Sequence, residues 1–448
     1  MSVVAVALLG GFFVTLVLGL PIYLALGATS IAAIILLDLE PLRVVASTVS
    51  SSINSFSLIA IPVFVLAGNI LADSQIGSRL IELALAIVGR LRAGLAFVTV
   101  GVGLFFAGIS GSGPADTAAL GAPLIPAMEK RGYSRAFASA LVAATGALGL
   151  VFPPSLGFII YGVVARVSVS KLFVAGVLPG ILLALALAVV AYVKARRNGW
   201  DQGDAPAAGV DGGDSVATAP NELACGYVRN VARAFGRAFW GLLAPVIILG
   251  GLYGGVFTPG EVATAVVIYA LFVAVVVYRD LSVRDVARII IRSARTTGVI
   301  MIIVASASVF SFLLNTQGIA AAFGGMLSTL SDNPLLFLLA VNVIVLVAGC
   351  VIDGISITYI FAPIMLPIAI RLGVDPTHFG VILLVNIAIG QTTPPVGVNL
   401  FVACAVGRVS LAQISRQMPV IFVAQLVTLA LVTLVPGLSL WLPRMFGL

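Results

Sequence analysis

The sequence predicts an all-α polytopic membrane protein with about ten transmembrane helices and two re-entrant hairpins, arranged in two inverted-topology repeats. Hydrophobic residues make up 61% of the 448 residues and charged residues only 9%, whereas a soluble domain carries about a quarter charged residues. Segments such as 172–193 and 261–278 are predominantly apolar. At about 1.5 Å per residue they cross most of a hydrocarbon core of about 30 Å. The third observation is an internal duplication, which gives both halves of the chain the same pattern.

Basic residues give the chain a net charge of +7 and a pI near 9.6. They cluster at the ends of apolar segments, as in KARR at 194–197, which is how cytoplasmic loops set membrane topology. The charge therefore indicates contact with membrane lipid and no nucleic-acid partner. Three cysteines without a CxxC spacing and a single histidine argue against zinc, haem or iron–sulfur sites. The first apolar stretch lacks the basic start of a secretory signal and is expected to be the first membrane span.

Residues 198–222 interrupt the apolar pattern near the middle of the chain. This segment is rich in Gly, Ala, Asp and Pro and lacks apolar periodicity, which is typical of a flexible linker. We therefore expect a first inverted repeat over 1–197, a cytoplasmic linker and amphipathic lead-in over 198–238, and a second inverted repeat over 239–448.

The two sides of this linker carry matching polar interruptions in the same order. GLVFPPSLGF (149–158) corresponds to GQTTPPVGVN (390–399), and ISGSGPADTA (109–118) corresponds to VIDGISITYI (351–360). The offset stays close to 241 residues, also for GAPLIPAMEKRGY with FAPIMLPIAIRLG and for ARVSVSKLF with GRVSLAQIS. Apolar segments resemble one another by chance, but four polar interruptions in one order indicate an internal duplication.

Charge placement predicts how each half lies in the membrane. Basic residues flank both outer ends of the first polar island, so about 95–128 is expected to form a hairpin that enters from the cytoplasm and ends near mid-membrane. Its counterpart at about 334–370 is expected to enter from the opposite side. A proline-broken helix follows each hairpin, at about 135–166 and about 376–406. With oppositely oriented halves, both termini are expected outside, on the side opposite the cytoplasm.

The adjacent prolines in each half break a membrane helix. Proline lacks an N–H donor and frees a carbonyl of the preceding turn, and such backbone is tolerated at this depth only where it is buried or lines a cavity. Unwound carbonyls are oxygen ligands for a cation such as Na⁺, and half-helix N-termini attract anions. Two breaks paired with two polar hairpin tips therefore favour a transport site over proline kinks that only shape the packing.

Each half supplies one hairpin tip and one break, from which the candidate ligands come. Sodium is expected to bind among tip and break residues of both halves, namely Ser110, Gly111, Ser112, Gly149, Val151, Pro154, Asp353, Gly354, Gly390, Thr392, Thr393 and Pro395. The substrate is expected to contact polar side chains in the same segments, namely Ser112, Asp116, Ser155, Ser356, Thr358 and Asn399.

Asp116 and Asp353 are carboxylates within apolar runs, where an unpaired charge is costly. Asp353 is expected to ligate a cation directly. For Asp116 two interpretations stay open, pairing with a cation or capping the start of the second hairpin arm. Asn399 either donates to a substrate or braces the broken segment. His378 follows DPT in a loop and is expected at the surface or at a helix start, not in a proton relay.

The blocks GISGSGPADTAALGAPLIPAM, TGALGLVFPPSLGFIIYG, GGVFTPGEVATA and NIAIGQTTPPVGVNLFVA resemble the large membrane subunit of tripartite ATP-independent periplasmic (TRAP) transporters. The resemblance extends over nearly the whole chain except the linker, which is longer than the family leads us to expect. It implies a multi-pass protein of the bacterial inner membrane with an elevator-type, ion-transporter-like architecture. It also implies Na⁺-driven uptake of small organic acids such as sialic acid or C4-dicarboxylates, with sodium bound between the hairpin tips and the broken helices.

The same resemblance implies two protein partners. One is a small membrane subunit, the Q subunit, and the other is a soluble periplasmic substrate-binding protein, the P subunit. No extra four-helix region precedes the first half, so the small subunit is expected to be a separate chain. No organic cofactor is expected.

Other functions fit parts of the sequence less well. The GxSG pattern at 108–111 matches rhomboid-type intramembrane serine proteases, with His378 as the base, but His378 is expected far from the tip residue Ser110. A passive channel or a scaffold would not depend on a binding protein. Proton coupling in place of sodium coupling would make Asp116 and Asp353 the first candidates. The chain contains no G-x-x-x-x-G-K-[ST] motif for ATP, and we expect a transporter and not an enzyme.

Overall fold

A computed structural model describes residues 3–88, 93–201, 220–319, 322 and 333–448. The regular structure of these residues is helical, without a strand, which confirms the predicted all-α class. Before residue 202 the α-helices are α1 (Val3–Val17), α2 (Ile22–Leu37), α3 (Leu42–Ile53), α4 (Ala60–Asp73), α5 (Gln75–Val88), α6 (Gly94–Ser110), α7 (Gly113–Lys130), α8 (Arg135–Gly146), α9 (Leu156–Ala165) and α10 (Val169–Asn198). After residue 219 they are α11 (Pro220–Tyr253), α12 (Pro259–Phe272), α13 (Val283–Thr316), α14 (Pro334–Gly349), α15 (Gly354–Arg371), α16 (Pro376–Gly390), α17 (Val398–Gly407), α18 (Leu411–Ser415), α19 (Met418–Leu434) and α20 (Gly437–Met445).

Both predicted hairpins consist of two helices joined by a short tip. In the first half the tip is Gly111–Ser112, between α6 and α7. In the second half it is Cys350–Asp353, between α14 and α15. The outer bounds lie within two residues of the predicted ones. Their re-entrant placement in a membrane stays a prediction.

Each hairpin is followed by a helix that is interrupted at its two prolines. The first runs through α8 and a 3₁₀ turn at Ala147–Leu150, and α9 continues it after Pro153–Pro154. The second runs through α16, and α17 continues it after Pro394–Pro395. The Pro–Pro bond is cis in both halves. The order of hairpin and broken helix thus recurs as the duplication predicts, while the inverted orientation of the halves stays a prediction.

The two halves interlock around their breaks. The second hairpin arm of the first half, α7, packs against α8 and against α17 of the second half. In the reciprocal arrangement, α15 packs against α9. The long helix α13 packs against α4 and also against α15. These contacts bring both tips and both breaks together, and large side chains of the broken helices, such as Phe158, Tyr161 and Phe379, are fully buried.

Several helices have the length and composition of membrane spans. Among the described residues, five helices are long and apolar enough to cross a membrane, or up to seven if each of two bent helix pairs forms one span. The broken helices are not in this set because each part is too short on its own. The predicted number of about ten spans is therefore not tested by helix length and stays a prediction.

The predicted linker over 198–222 differs from the structure at both ends, and its middle, 202–219, lies outside the described residues. At its start, Trp200 contacts the rings of Tyr133 and Phe137, each with centroids 5.3 Å away. Asp201 is buried and pairs with Arg131 at 2.9 Å. At its end, α11 runs from Pro220 to Tyr253, with no proline between Pro220 and Pro245. The boundary predicted between 238 and 239 therefore falls inside one continuous helix.

Candidate functional site

The first hairpin tip faces the first break, as the sequence predicts. Gly111 has a φ of 62°, a left-handed conformation that favours glycine, and its carbonyl accepts the N–H of Leu156 at 3.3 Å. Ser110 donates a hydrogen bond to Asp116 Oδ1 and accepts the N–H of Ser112 at 3.1 Å. The tip is therefore held both to the start of α9 and to the carboxylate one turn inside α7.

Asp116 is the buried carboxyl group of this site. Its side chain is 1% exposed, and Oδ2 has no hydrogen-bond partner among the described residues. A Cβ atom placed on Gly149 would lie 2.5 Å from Oδ2 and 3.2 Å from the Ser112 nitrogen, so a side chain there would displace the carboxylate oxygen. The N-cap of α7 is Ser112, and Asp116 is not the cap. Of the two interpretations open for Asp116, this arrangement favours pairing with a cation, because a buried carboxylate oxygen without a partner is costly.

The remaining first-half candidates belong to the break. Val151 is fully buried, and its N–H donates to the Leu148 carbonyl at 2.9 Å. The Ser155 hydroxyl donates to the Leu150 carbonyl at 2.7 Å and caps α9 by accepting the N–H of Phe158 at 3.4 Å. Ser155, predicted to contact substrate, therefore braces the interruption. The Pro154 carbonyl lies 2.8 Å from the position of a Cβ on Gly111, which places it against the tip.

At the second tip the carboxylate is used differently. Asp353 caps α15, with Oδ1 accepting the N–H groups of Ile355 at 2.9 Å and Ser356 at 3.1 Å. Oδ2 accepts the Ser356 hydroxyl at 2.7 Å. Thr358, also predicted to contact substrate, is buried and donates to the Gly354 carbonyl at 2.8 Å. Direct ligation of a cation by Asp353 stays a prediction, and the structure assigns this carboxylate a capping role.

The second break is fastened to its own hairpin through backbone atoms. The Cys350 carbonyl accepts the N–H groups of Val396 at 3.2 Å and Gly397 at 3.1 Å. A Cβ atom on Gly390 would lie 2.6 Å from the Gly349 Cα, so the ends of α14 and α16 are in contact at these two glycines.

The hydroxyls of the second break return to the helix that precedes it. Thr392 and Thr393 donate to the Ile389 carbonyl at 2.8 and 2.7 Å. Pro395 forms the cis bond with Pro394, next to these hydroxyls in sequence. The predicted second-half residues Gly390, Thr392, Thr393 and Pro395 thus lie together at the turn.

Gln391 connects the two tips and was missed by the sequence reasoning. A Cβ on Gly113 would lie 3.3 Å from Gln391 Oε1, and a Cβ on Gly354 would lie 3.1 Å from its Nε2. The side chain is 5% exposed, and Oε1 has no partner among the described residues. The sequence does contain a sign of this role, because Gln391 is a large polar residue at the end of an apolar run, directly before TTPP.

Asn399 joins the first half to the second break. Its N–H donates to the Gln391 carbonyl at 3.1 Å, and its side-chain amide donates to the Ala143 carbonyl at 3.3 Å. A Cβ on Gly113 would lie 2.9 Å from Asn399 Nδ2. The N-termini of α7 and α15 therefore approach two buried amide side chains. Helix N-termini and amide N–H groups are donors that suit a carboxylate.

His378 does not belong to this site. It lies in the first turn of α16, which confirms the predicted position at a helix start. Its side chain is 3% exposed and therefore not at the surface. Its Nδ1 lies 3.2 Å from the Ser439 hydroxyl. Ser110, the serine of the GxSG pattern, is bonded to Asp116 instead, so the structure gives the protease interpretation no nucleophile–base pair.

Comparisons with known proteins agree with this architecture. Residues 9–438 match the family model described as "Tripartite ATP-independent periplasmic transporter, DctM component". The chain is 35% identical to the C4-dicarboxylate TRAP transporter large permease protein DctM of Rhodobacter capsulatus, covering 98% of each chain. It is 33% identical to the sialic acid TRAP transporter large permease protein SiaM of Vibrio cholerae, covering 97% of each.

A third relative is longer than this chain. The isethionate TRAP transporter permease protein DctMQ of Oleidesulfovibrio alaskensis is 36% identical over 97% of the chain, which spans only 65% of that relative's length. Among solved structures, the YdaH transporter of Alcanivorax borkumensis matches with a TM-score of 0.59 and 14% identity, covering 91% of this chain and 89% of that one. At that identity the likeness concerns the fold alone.

Proposed function

Because the chain belongs to the DctM component family of tripartite ATP-independent periplasmic transporters, we propose that it takes up a small organic anion across the bacterial inner membrane in symport with Na⁺. The relatives named above are transporter permease proteins, and the protein is a multi-pass membrane transport protein and not an enzyme. The finer statements that follow, on ions, substrate, partners and movement, are parts of this proposal.

The observation that carries the proposal is the pairing of each hairpin tip with a broken helix. In the first half, we place one Na⁺ at Asp116 Oδ2, with oxygen atoms of Ser110, Ser112 and the Gly149 turn as the further ligands. In the second half, backbone and hydroxyl oxygens around Gly354, Gly390, Thr392, Thr393 and Pro395 supply the other. Oxygen atoms of this kind are the ligands that Na⁺ takes in broken transporter helices. Each ion would hold a tip closed over its break.

Closure of the two tips would build the substrate site between them. The N-termini of α7 and α15 approach Gln391 and Asn399, and these donors suit a carboxylate. Ser112 and Ser356 stand at the same two N-termini. Two of the relatives are named for C4-dicarboxylate and for sialic acid, so a carboxylate of this class is the proposed cargo.

The partners are proposed from the family. A periplasmic binding protein would deliver the anion to this subunit, and a small membrane subunit would support its scaffold. One relative carries the combined name DctMQ, which supports a small subunit as a partner. We propose that the hairpins and broken helices move together as an elevator against the remaining helices, with both termini in the periplasm.

Uptake into proteoliposomes tests this function. The chain and its small subunit would be reconstituted, and the binding protein with labelled succinate or N-acetylneuraminate would be added outside, with and without an inward Na⁺ gradient. The proposal expects uptake that needs both the gradient and the binding protein. Uptake that ignores Na⁺ but stops with a proton uncoupler would move the coupling to protons, and uptake without the binding protein would contradict the tripartite mechanism.

A further inference from the structure

One side of the N-terminal half of α11 carries three arginines. Arg229, Arg233 and Arg237 recur every four residues and are exposed. Because residues four apart are neighbours on a helix surface, the three guanidinium groups form one stripe. The ion pairs in the described part of the chain involve other arginines, namely Arg131, Arg135, Arg288 and Arg292. Within the described residues, the stripe therefore has no acidic partner that neutralises its charge.

Aromatic side chains occupy the other exposed side of the same turns. Phe235 and Phe239 are 48% and 42% exposed, and their rings meet edge to face with centroids 6.2 Å apart. Both residues lie roughly 120° or more around the helix from Arg233. An exposed face divided into a basic side and an aromatic side is typical of a helix that contacts the membrane surface.

Packing against the rest of the protein fixes the direction of this face. On its opposite side α11 packs against α5 and α12, and Ala238 is fully buried there. The Tyr278 hydroxyl donates to the Arg237 carbonyl at 2.7 Å, and the Tyr269 hydroxyl donates to the Trp240 carbonyl at 2.5 Å. These bonds hold the basic turns to α12 and to the residues after it, so the arginines and phenylalanines are directed away from the protein.

The length of α11 places the stripe at the edge of the membrane. Arg229–Tyr253 is a helix long and apolar enough to cross a membrane. Counted back from Tyr253 at about 1.5 Å per residue, a hydrocarbon core of about 30 Å ends near Arg233. At this depth arginine side chains reach the lipid headgroups, while phenylalanines contact the acyl chains. Arginines at the end of a span indicate the cytoplasmic leaflet, which contains anionic lipids.

We propose that this face of α11 is a binding site for an anionic phospholipid of the cytoplasmic leaflet. Arg229, Arg233 and Arg237 bind the phosphodiester through charge-assisted hydrogen bonds, and Phe235 and Phe239 pack on its acyl chains. A zwitterionic phospholipid gains less from the stripe, because its ammonium group offsets the charge of its phosphate. The site therefore selects phosphatidylglycerol over phosphatidylethanolamine.

Native mass spectrometry of the detergent-solubilised chain with its small subunit measures this selection. Phosphatidylglycerol and phosphatidylethanolamine with identical acyl chains are titrated separately, and the dissociation constant of the first bound lipid is determined for each. We expect phosphatidylglycerol to bind at least about tenfold more tightly. The triple variant Arg229→Gln, Arg233→Gln, Arg237→Gln should lose this preference, and Arg233→Gln alone should retain part of it. The double variant Phe235→Ala, Phe239→Ala should weaken the binding of both lipids.

The first turns of α13 supply a matched control. Arg284, Arg288 and Arg295 are also exposed arginines at the start of a span. Arg288 is paired with Asp285 at 3.1 Å, and residues 283–295 contain no aromatic residue. Changing these three arginines to glutamine removes the same charge from the protein. This control variant should keep the preference for phosphatidylglycerol.

Equal loss of the preference in both triple variants would overturn the proposal, because a general charge effect would then explain the binding. No preference in the wild-type complex would overturn it as well. A preference in the chain alone that disappears in the complex would show that the small subunit covers this face. Competition by soluble glycerol 1-phosphate would show that the stripe binds free phosphate groups and not a lipid. Either result would reject the lipid site.

Two features keep this test separate from other causes. A monodisperse elution profile of each complex establishes that the variant is folded. Lipid binding is measured without uptake, so its outcome is independent of the Na⁺ coupling and the substrate proposed above.

Discussion

The two hairpin tips share a backbone plan but place their carboxylates differently. In the first, the N-cap of α7 is Ser112, which makes no side-chain cap bond, and Asp116 lies one turn further, buried beside Gly149. In the second, Asp353 occupies the N-cap of α15 and uses both oxygens there. The position 241 residues after Asp116 is Ile357, an apolar residue.

This difference shows how duplicated backbones can diverge in chemistry. The first tip offers a cation a buried carboxylate group, one oxygen of which has no hydrogen-bond partner among the described residues. The second offers hydroxyl and backbone oxygens, because its carboxylate holds the helix start. We infer that binding at the first of the proposed sodium sites depends on the carboxylate, and that binding at the second depends on the shape of the turn.

Gly390→Ala should give the largest effect, a loss of folded protein, because Gly390 and Gly349 are in close backbone contact at the second break. The new Cβ would lie 2.6 Å from the Gly349 Cα, and neither backbone can move without separating the tip from its break. We expect almost no folded protein, measured as the monodisperse fraction after membrane extraction. Gly298→Ala is the control, since a Cβ there meets nothing within 4 Å. A normal yield of Gly390→Ala would show that this contact is not required.

Asp201→Asn should give the second-largest effect, a loss of protein stability. Asp201 connects the two ends of the first hairpin. Asp201 accepts the N–H of Leu95 at 3.0 Å and pairs with Arg131, and the two paired side chains are 1% and 12% exposed. Removing one charge of a buried pair costs about 3 kcal/mol. Thermal unfolding of the detergent-solubilised protein should therefore occur at lower temperature. Ser439→Ala, which removes the hydroxyl beside His378 in the second half, should cost less.

Gly149→Ala should disable the first site while the protein still folds. Its Cβ would meet Asp116 Oδ2 at 2.5 Å, and the end of a side chain can yield where a backbone cannot. Displacing this oxygen should reduce Na⁺-driven uptake about 100-fold, by loss of a charged ligand. Gly101→Ala, in α6 with nothing within 4 Å of the new Cβ, should transport normally. Full uptake activity in Gly149→Ala would show that Asp116 is not a ligand of the ion.

Gln391→Leu should give the smallest effect. It should weaken binding of the organic anion and leave the Na⁺ dependence of uptake unchanged. Its amide lies between the two tips, near Gly113 and Gly354, and apolar replacement removes a hydrogen-bonding group of the proposed anion site. We expect the KM for the organic anion to rise about tenfold. The Na⁺ concentration for half-maximal uptake should stay within about twofold. The reverse pattern would assign Gln391 to the second sodium site.

Much of the fold was predictable because membrane helices and their interruptions are local in sequence. The bounds of the hairpins and breaks follow from the lengths of the apolar segments and from the positions of glycines and prolines. The internal repeat supports each bound a second time, because the same pattern occurs in both halves. The roles of individual polar groups were less accessible. Whether Asp116 or Asp353 caps a helix depends on one turn of helix phase, and the pairing of Ser155 with Leu150 depends on the geometry of the break.

Contacts between the halves were beyond the sequence reasoning for another reason. Gln391 meets Gly113 across 278 positions, and no periodicity within one half predicts which residues of the other half it touches. Likewise, Trp200 and Asp201 have the composition of a linker but find partners on the first hairpin and α8. Packing of distant segments, and not local propensity, decides such positions.

The most direct test compares the Na⁺ dependence of uptake in Asp116→Asn and Asp353→Asn. Asparagine has nearly the size of aspartate and is itself a good N-cap, so each substitution removes charge with little change of shape. The account predicts that Asp116→Asn raises the Na⁺ concentration for half-maximal uptake at least about tenfold, while Asp353→Asn changes it less than about twofold. Equal shifts in both variants, or a larger shift in Asp353→Asn, would contradict it.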